Sequence, residues 1–176
     1  MATFTDQLKE LFADCSDEGP TSLSAVLLAE IERVRDIIVV ESDWDDLSQI
    51  TRGDHAIELH KSYLAGDISL ENCLWYKTRL EKEILSLGSP DDQKGRAAFH
   101  YQLACTELPL AGDWDEAEAV AGDLLCFMYL WYPDTPSKST QRQMLEWLRY
   151  TLESRMRRLN GIPAGGARLR VSLLAA

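Results

Sequence analysis

The chain has 176 residues, of which 45% are hydrophobic and 27% are charged. This length and composition indicate one globular domain with a substantial core, and they exclude a disordered or fibrous chain. The longest apolar run, residues 124–132, is too short to cross a bilayer, and the acidic N-terminal segment does not fit a secretory signal. We therefore expect a cytoplasmic protein that does not enter membranes.

Charge is distributed unevenly along the chain. Residues 1–136 hold 10 Lys/Arg and 27 Asp/Glu, a net charge of −17, whereas residues 137–176 hold 8 and 2, a net charge of +6. The acidic body repels phosphate backbones, so direct binding of nucleic acid is disfavoured. The same charge favours a protein partner with a basic surface.

Helical periodicity dominates the first part of the chain. A short amphipathic stretch from Phe4 to Phe12 is followed by a break at Ser16–Pro20. A long apolar stripe then begins, and Thr21 or Ser22 is the expected N-cap of its helix. The β-branched end of this stripe, "DIIVV", also fits a strand, although no partner strand is evident.

Similar signals predict the remaining helices. Asp54 is the expected cap of a helix that ends near Ala65. The next helix has one stripe with a single polar member: Leu70, Cys73, Lys77, Leu80, Ile84 and Leu87. Two more helices are centred on residues 98–108 and 117–131, and the last runs from Ser137 or Ser139 to Leu159. These patterns predict an all-α single-domain bundle of about six or seven antiparallel-packed helices over residues 1–160, followed by a flexible basic and apolar tail over residues 161–176.

The tetrapeptide Leu-Ala-Gly-Asp occurs twice, at residues 64–67 and 110–113. We interpret both copies as turns between helices, in which glycine takes the left-handed conformation at the end of one helix. The aspartate, or Ser69 in the first copy, then caps the next helix. Core positions that follow one copy would align with charged residues after the other, so a true duplication is disfavoured.

The segment "AFHYQLACTELPLAGDWDEAEAVAGDLL", Ala98–Leu125, resembles a single tetratricopeptide-type helical hairpin. Tyr101 stands at the aromatic position of the first helix, Cys105 at its small position, and Ala117 where the two helices touch. Ala121 and Leu124 depart from the family pattern, and the family's repeat period is absent. The resemblance implies a helical-hairpin (TPR-like) scaffold that binds another protein.

No motif in the sequence indicates a catalytic, metal or cofactor site. His55 and His60 are five residues apart, whereas two zinc ligands on one helical face are four apart. The four cysteines include no C-x-x-C pair, and we expect them to be reduced and mostly buried. We expect no cofactor and lean against an enzyme. The alternative is an enzyme or ligand-binding bundle whose polar site is assembled in space from carboxylates and His55/His60.

We therefore predict a small acidic interaction module that binds one protein partner without catalysis. An adaptor, an inhibitor or immunity protein, and a secretion-type chaperone all fit. An acidic mimic that blocks a nucleic-acid-binding protein is a further alternative, and a homodimer also remains open. For the apolar segment 124–132, central burial is favoured over partner contact. The predicted contact residues are Asp43, Asp45, Asp46, Asp113, Asp115, Glu116, Phe127, Tyr129 and Tyr132.

Overall fold

The computed structural model describes residues 2–16, 19, 21–42, 50–108 and 114–160. These residues form seven α-helices and no strand, which confirms the predicted all-α bundle. The helices are α1 (Phe4–Ala13), α2 (Leu23–Glu41), α3 (Thr51–Leu64), α4 (Leu70–Leu87), α5 (Gln93–Glu107), α6 (Trp114–Trp131) and α7 (Ser137–Leu159).

The ends of two helices follow the predicted capping. The side chain of Ser22 accepts a hydrogen bond from the backbone N–H of Ala25 and so caps α2. The first Gly-Asp turn is also as predicted, since Gly66 has a φ of 81° and the Ser69 side chain caps α4. The second copy, at residues 110–113, lies outside the described residues, as does the tail 161–176.

One alternative and one expectation about local structure are wrong. The segment "DIIVV" is helical, and α2 continues through it to Glu41, with Ile38 extending the buried stripe of that helix. Asp54 does not cap α3, which begins at Thr51 after Ile50. Asp54 lies in the first turn, where its carboxylate pairs with Arg35 at 2.9 Å.

The hairpin of α5 and α6 forms the most extensive helix–helix contact of the bundle. Helix α5 also packs against α2, α3 and α4, so it is central, while α7 packs against α2, α6 and α1. Tyr101 of α5 and Phe127 of α6 are the largest fully buried side chains. Helix α4 packs chiefly against α3 and α5, and it therefore lies at an edge of the bundle.

A glycine permits the close approach of α3 to α5. A Cβ atom at Gly53 would lie 2.9 Å from Cε1 of Tyr101 and 3.3 Å from the Cα of Gln102. Real Cβ atoms do not come that close to a packed ring, so only glycine fits here without a shift of the helices. All four cysteines are free, with Cys73 and Cys105 buried.

Candidate functional site

The structure describes only part of the predicted acidic contact set. Asp43, Asp45, Asp46 and Asp113 lie outside the described residues. Asp115 and Glu116 are exposed in the first turn of α6, where negative charge interacts favourably with the helix dipole. The interaction with the helix dipole is a sufficient local reason for these two residues, and their role in partner binding stays a prediction.

The aromatic part of that set serves the fold. Phe127 is fully buried and stacks on Trp131 with ring centroids 5.2 Å apart, so Phe127 cannot contact a partner in the folded chain. The favoured interpretation of the apolar segment, central burial, is thereby confirmed for Phe127. Tyr129 and Tyr132 are half-buried, and their hydroxyls bond with Gln141 at 3.0 Å and with Glu41 at 3.0 Å.

The two histidines of the alternative polar site do not come together. His60 is completely buried, and its Nε2 atom lies 2.8 Å from the hydroxyl oxygen of Ser24. Burial, and then the nearby charge of Lys77, lower the pKa of His60 to about 4. His55 is exposed on the side of α3 that borders α4. A site built from His55 and His60 is therefore not formed in this fold.

Lys77 is the polar member of the predicted α4 stripe, and the structure buries it. Its Nζ atom donates a hydrogen bond to the backbone carbonyl of Leu108, just beyond the end of α5. Burial lowers the pKa of Lys77, while the carboxylates of Glu116 and Glu81 oppose that change. The amine thus replaces a missing backbone donor at a helix end, which explains a lysine in an apolar stripe.

A polar cluster that the sequence did not reveal lies on the α5–α6 hairpin. The Nδ1 atom of His100 is 2.6 Å from Oδ1 of Asp123. Burial, and then the carboxyl group of Asp123, raise the pKa of Glu107 to about 8. No local motif joins these residues, which only the pairing of two helices brings together. Within the described ranges, no group of three or more His, Cys, Asp or Glu residues could hold a metal ion.

Helix α4 carries many of the large hydrophobic side chains that are exposed in the described part of the chain. It contributes half of the large hydrophobic side chains that are exposed among the described residues. Monomeric proteins rarely leave such side chains grouped on one helix, and grouped exposure is typical of protein-binding surfaces. The six residues are Leu70, Leu74, Trp75, Tyr76, Leu85 and Leu87.

One side of this helix borders a groove against α3. The groove has a volume of about 500 Å³, and Leu59, Tyr76 and Leu80 provide its apolar lining. Its charged residues are largely neutralised, because Glu83 pairs with both Arg79 and Arg52 at 3.5 Å. We call this surface the α3–α4 groove. It is mainly apolar and lies between side chains of α3 and side chains of α4.

Comparison with known proteins gives this chain no relatives: no protein-family model, no curated protein and no solved structure matches it. None of these comparisons supports the resemblance of Ala98–Leu125 to a tetratricopeptide hairpin, which stays a prediction. Across the residues that the structure describes, no helix is both long and apolar enough to span a bilayer.

Proposed function

We propose that this chain is a protein–protein interaction module that binds an amphipathic helix of its partner in the α3–α4 groove. The observation that supports this function is the mainly apolar lining of that groove, in which the Tyr76 side chain is exposed. When the apolar face of an amphipathic helix binds in such a groove, the apolar side chains of both surfaces are removed from water, which favours binding.

The dimensions and the surroundings of the groove favour a helical ligand. Helices α3 and α4 are antiparallel neighbours, since Arg52 at the start of α3 pairs with Glu83 near the end of α4. A third helix that lies between them completes a three-helix layer by ordinary ridge-and-groove packing. Tyr76, which is 45% exposed, is the aromatic anchor that such an interface places at its centre.

The chemistry of the partner follows from charge. The groove itself is close to neutral, but the chain carries a net charge of −11. A partner helix with basic residues beside its apolar face is steered toward this body, and its affinity falls as salt screens the attraction. An adaptor, an inhibitor or immunity protein, and a secretion-type chaperone all remain compatible with this mode of binding.

A matched pair of variants tests the proposal. Tyr76→Asp places a charge in the groove, whereas Tyr150→Asp makes the same change at an exposed tyrosine of α7. Partners captured from native lysate by the unmodified chain are quantified by mass spectrometry, and the affinity of the purified partner is then measured by calorimetry. We expect Tyr76→Asp to weaken binding at least about tenfold. Equal affinity of both variants for the partner would overturn the use of this groove.

The polar cluster on α5 and α6 supports a second candidate function, an acid–base or ligand-binding site assembled in space. His100 and Asp123 are both partly accessible, and the Glu107 carboxyl lies nearby. Such a site predicts that His100→Gln removes a ligand or an activity that Tyr76→Asp leaves intact. The nucleic-acid-mimic alternative makes a different prediction, namely that DNA or RNA competes with this chain for the captured partner.

A further inference from the structure

A second cavity lies where α3, α4 and α5 meet, and it is lined by other residues than the α3–α4 groove. Its volume is about 340 Å³. Its polar residues are Arg52 in the first turn of α3, Gln102 on α5 and Asp92, the N-cap of α5. Its apolar wall consists of Ile84, Leu87, Pro90 and Phe99. An apolar wall with a few polar groups is typical of a site for a small molecule, and we call this site the Gln102 cavity.

Gln102 is an uncompensated polar residue in the interior of the bundle. It is only 7% exposed, yet its Oε1 atom has no hydrogen-bond partner among the residues that the structure describes. A buried amide without a partner destabilises the fold, and native proteins rarely keep one. Because Gln102 borders the cavity, a polar group of a bound molecule can reach its amide.

Arg52 adds a cation with unused donors to the same cavity. Its Nε atom lies 3.5 Å from Oε2 of Glu83, an ion pair that is too long for a good hydrogen bond. Within the described ranges, this buried Nε atom has no hydrogen-bond partner. The next residue, Gly53, lets α3 approach α5, since a Cβ atom there would lie 3.3 Å from the Cα of Gln102. The guanidinium group and the amide therefore border one cavity from two helices.

We propose that the Gln102 cavity binds a small 2-hydroxy acid with an aromatic or branched apolar side chain. The guanidinium group of Arg52 pairs with the carboxylate of the ligand. The hydroxyl group of the ligand bonds with the Gln102 amide. A hydroxyl group both donates and accepts, so it matches the amide whether its oxygen or its NH₂ group faces the cavity. The apolar side chain of the ligand packs against Phe99 and Ile84, away from water.

The charges around the cavity favour a hydroxy acid over an amino acid. An ammonium group beside the carboxylate would lie near the cation of Arg52 and would face only the uncharged amide of Gln102. Asp92, the carboxylate of the cavity, precedes Gln102 by ten residues, which is about 15 Å along a helix. Its Oδ1 atom already accepts a hydrogen bond of 2.7 Å from the backbone N–H of Gly95.

Glu83 does not prevent a carboxylate from binding to Arg52. Glu83 also pairs with Arg79 at 3.5 Å, so it keeps a counterion when the ligand engages Arg52. Neither Arg52 nor Gln102 lines the α3–α4 groove. The ligand site is therefore independent of the proposed partner site, and failure of one does not imply failure of the other.

Titration of the isotope-labelled full chain with phenyllactate, followed by nuclear magnetic resonance, tests the site. We expect saturable shifts of the Gln102 side-chain amide and of neighbouring α5 amides, with a Kd of about 0.1 to 1 mM. Phenylpropionate lacks the hydroxyl group, and phenyllactamide lacks the negative charge. Each of these matched ligands should bind at least about tenfold more weakly than phenyllactate.

Two variants assign the two polar contacts. Arg52→Gln should weaken binding of phenyllactate at least about tenfold but leave binding of phenyllactamide unchanged. Gln102→Leu should reduce the affinity for phenyllactate to that for phenylpropionate, which itself should bind as before. Arg142→Gln, which removes an arginine that pairs with Glu146 on α7, is the matched control and should bind phenyllactate normally. Circular dichroism checks that all three variants fold.

Absence of saturable shifts at millimolar phenyllactate would overturn the inference. Equal affinities for phenyllactate and phenylpropionate would overturn the role of Gln102, and the cavity would then only accept apolar groups. Unchanged affinity in Arg52→Gln would overturn the role of the cation. Tighter binding of phenylalanine than of phenyllactate would contradict the preference for a hydroxy acid. Tyr76→Asp, on the groove side, should leave phenyllactate binding unchanged, which separates this test from that of the proposed function.

Discussion

The hydroxyl of Tyr101 donates a hydrogen bond of 2.8 Å to Oδ1 of Asp54, the carboxylate that also binds the guanidinium group of Arg35 at 2.9 and 3.0 Å. Three helices meet in this contact, since Arg35 belongs to α2, Asp54 to α3 and Tyr101 to α5. Bidentate pairing with arginine fixes the orientation of the carboxylate, which in turn satisfies a hydroxyl at the end of a fully buried ring.

Loss of the Tyr101 hydroxyl should destabilise the bundle. In Tyr101→Phe the ring still fills its site, but the hydrogen bond to a charged acceptor is gone. We expect the free energy of unfolding to fall by about 1 to 2 kcal/mol. Chemical denaturation measures this, with Tyr76→Phe as a control at an exposed tyrosine. An unchanged midpoint in Tyr101→Phe would mean that the bond contributes nothing to stability.

His60 should make the protein less stable in mild acid. The pKa of His60 is lowered to about 4 in the fold, against about 6.5 in an unfolded chain, so the unfolded state binds the proton more tightly. The contribution of neutral His60 to the free energy of unfolding is complete above about pH 6.5. It is lost as the pH falls toward about 4, and the total loss is about 3 kcal/mol. Denaturant unfolding at a series of acidic pH values measures the slope.

The variant His60→Gln removes that titration, and its stability should vary less with pH over the same range. His55→Gln, at an exposed position of the same helix, is the matched control. Equal slopes in the unmodified chain and in His60→Gln would show that His60 accepts its proton without cost in the fold.

Glu107 should make the protein less stable as the pH rises, whereas His60 makes it less stable as the pH falls. Burial and the neighbouring Asp123 carboxyl raise the pKa of Glu107 to about 8, so the folded state holds this proton more tightly than the unfolded state does. The stabilisation is complete below about pH 4.3 and is lost as the pH rises through about 8. We expect Glu107→Gln to flatten this decline in a denaturation series, while Glu146→Gln at an exposed site should preserve it.

Two glycine substitutions should have opposite signs. Gly53→Ala places a methyl group against the Tyr101 ring and the α5 backbone, and we expect a loss of about 1 to 3 kcal/mol from overpacking. Gly122→Ala, inside α6, brings the added methyl group within 4 Å of nothing beyond its own stretch of helix, so helix propensity should stabilise the protein by up to about 1 kcal/mol. Thermal unfolding of the two variants provides the comparison.

Neutralising Asp115 and Glu116 tests the basic-partner prediction. If these exposed carboxylates steer a basic partner, the double variant Asp115→Asn/Glu116→Gln should bind it more weakly at low salt and show a smaller salt dependence. Titration calorimetry at two salt concentrations measures both effects. Unchanged affinity and salt dependence would show that these carboxylates do not take part in steering.

The sequence by itself determined the class of fold and most of its helix boundaries. The signals are local: the 3.6-residue period of the apolar positions, the Ser22 and Ser69 caps, and the proline-rich break after Tyr132. Each of them depends on neighbouring residues of the chain and needs no tertiary contact. The strand alternative for "DIIVV" was wrong because β propensity is weak, and the buried stripe of α2 extends to Ile38 within that segment.

Only the tertiary structure decided which polar and apolar residues are available for function. His60 and Phe127 look like site residues in the sequence, but both are fully buried. Leu70 and Leu87 belong to the predicted apolar stripe of α4, but α4 lies at the edge of the bundle and exposes both of them. The His100–Asp123 contact joins residues 23 positions apart. Periodicity gives the side of the helix on which a residue lies, whereas the burial of that residue depends on whether another helix packs against that side.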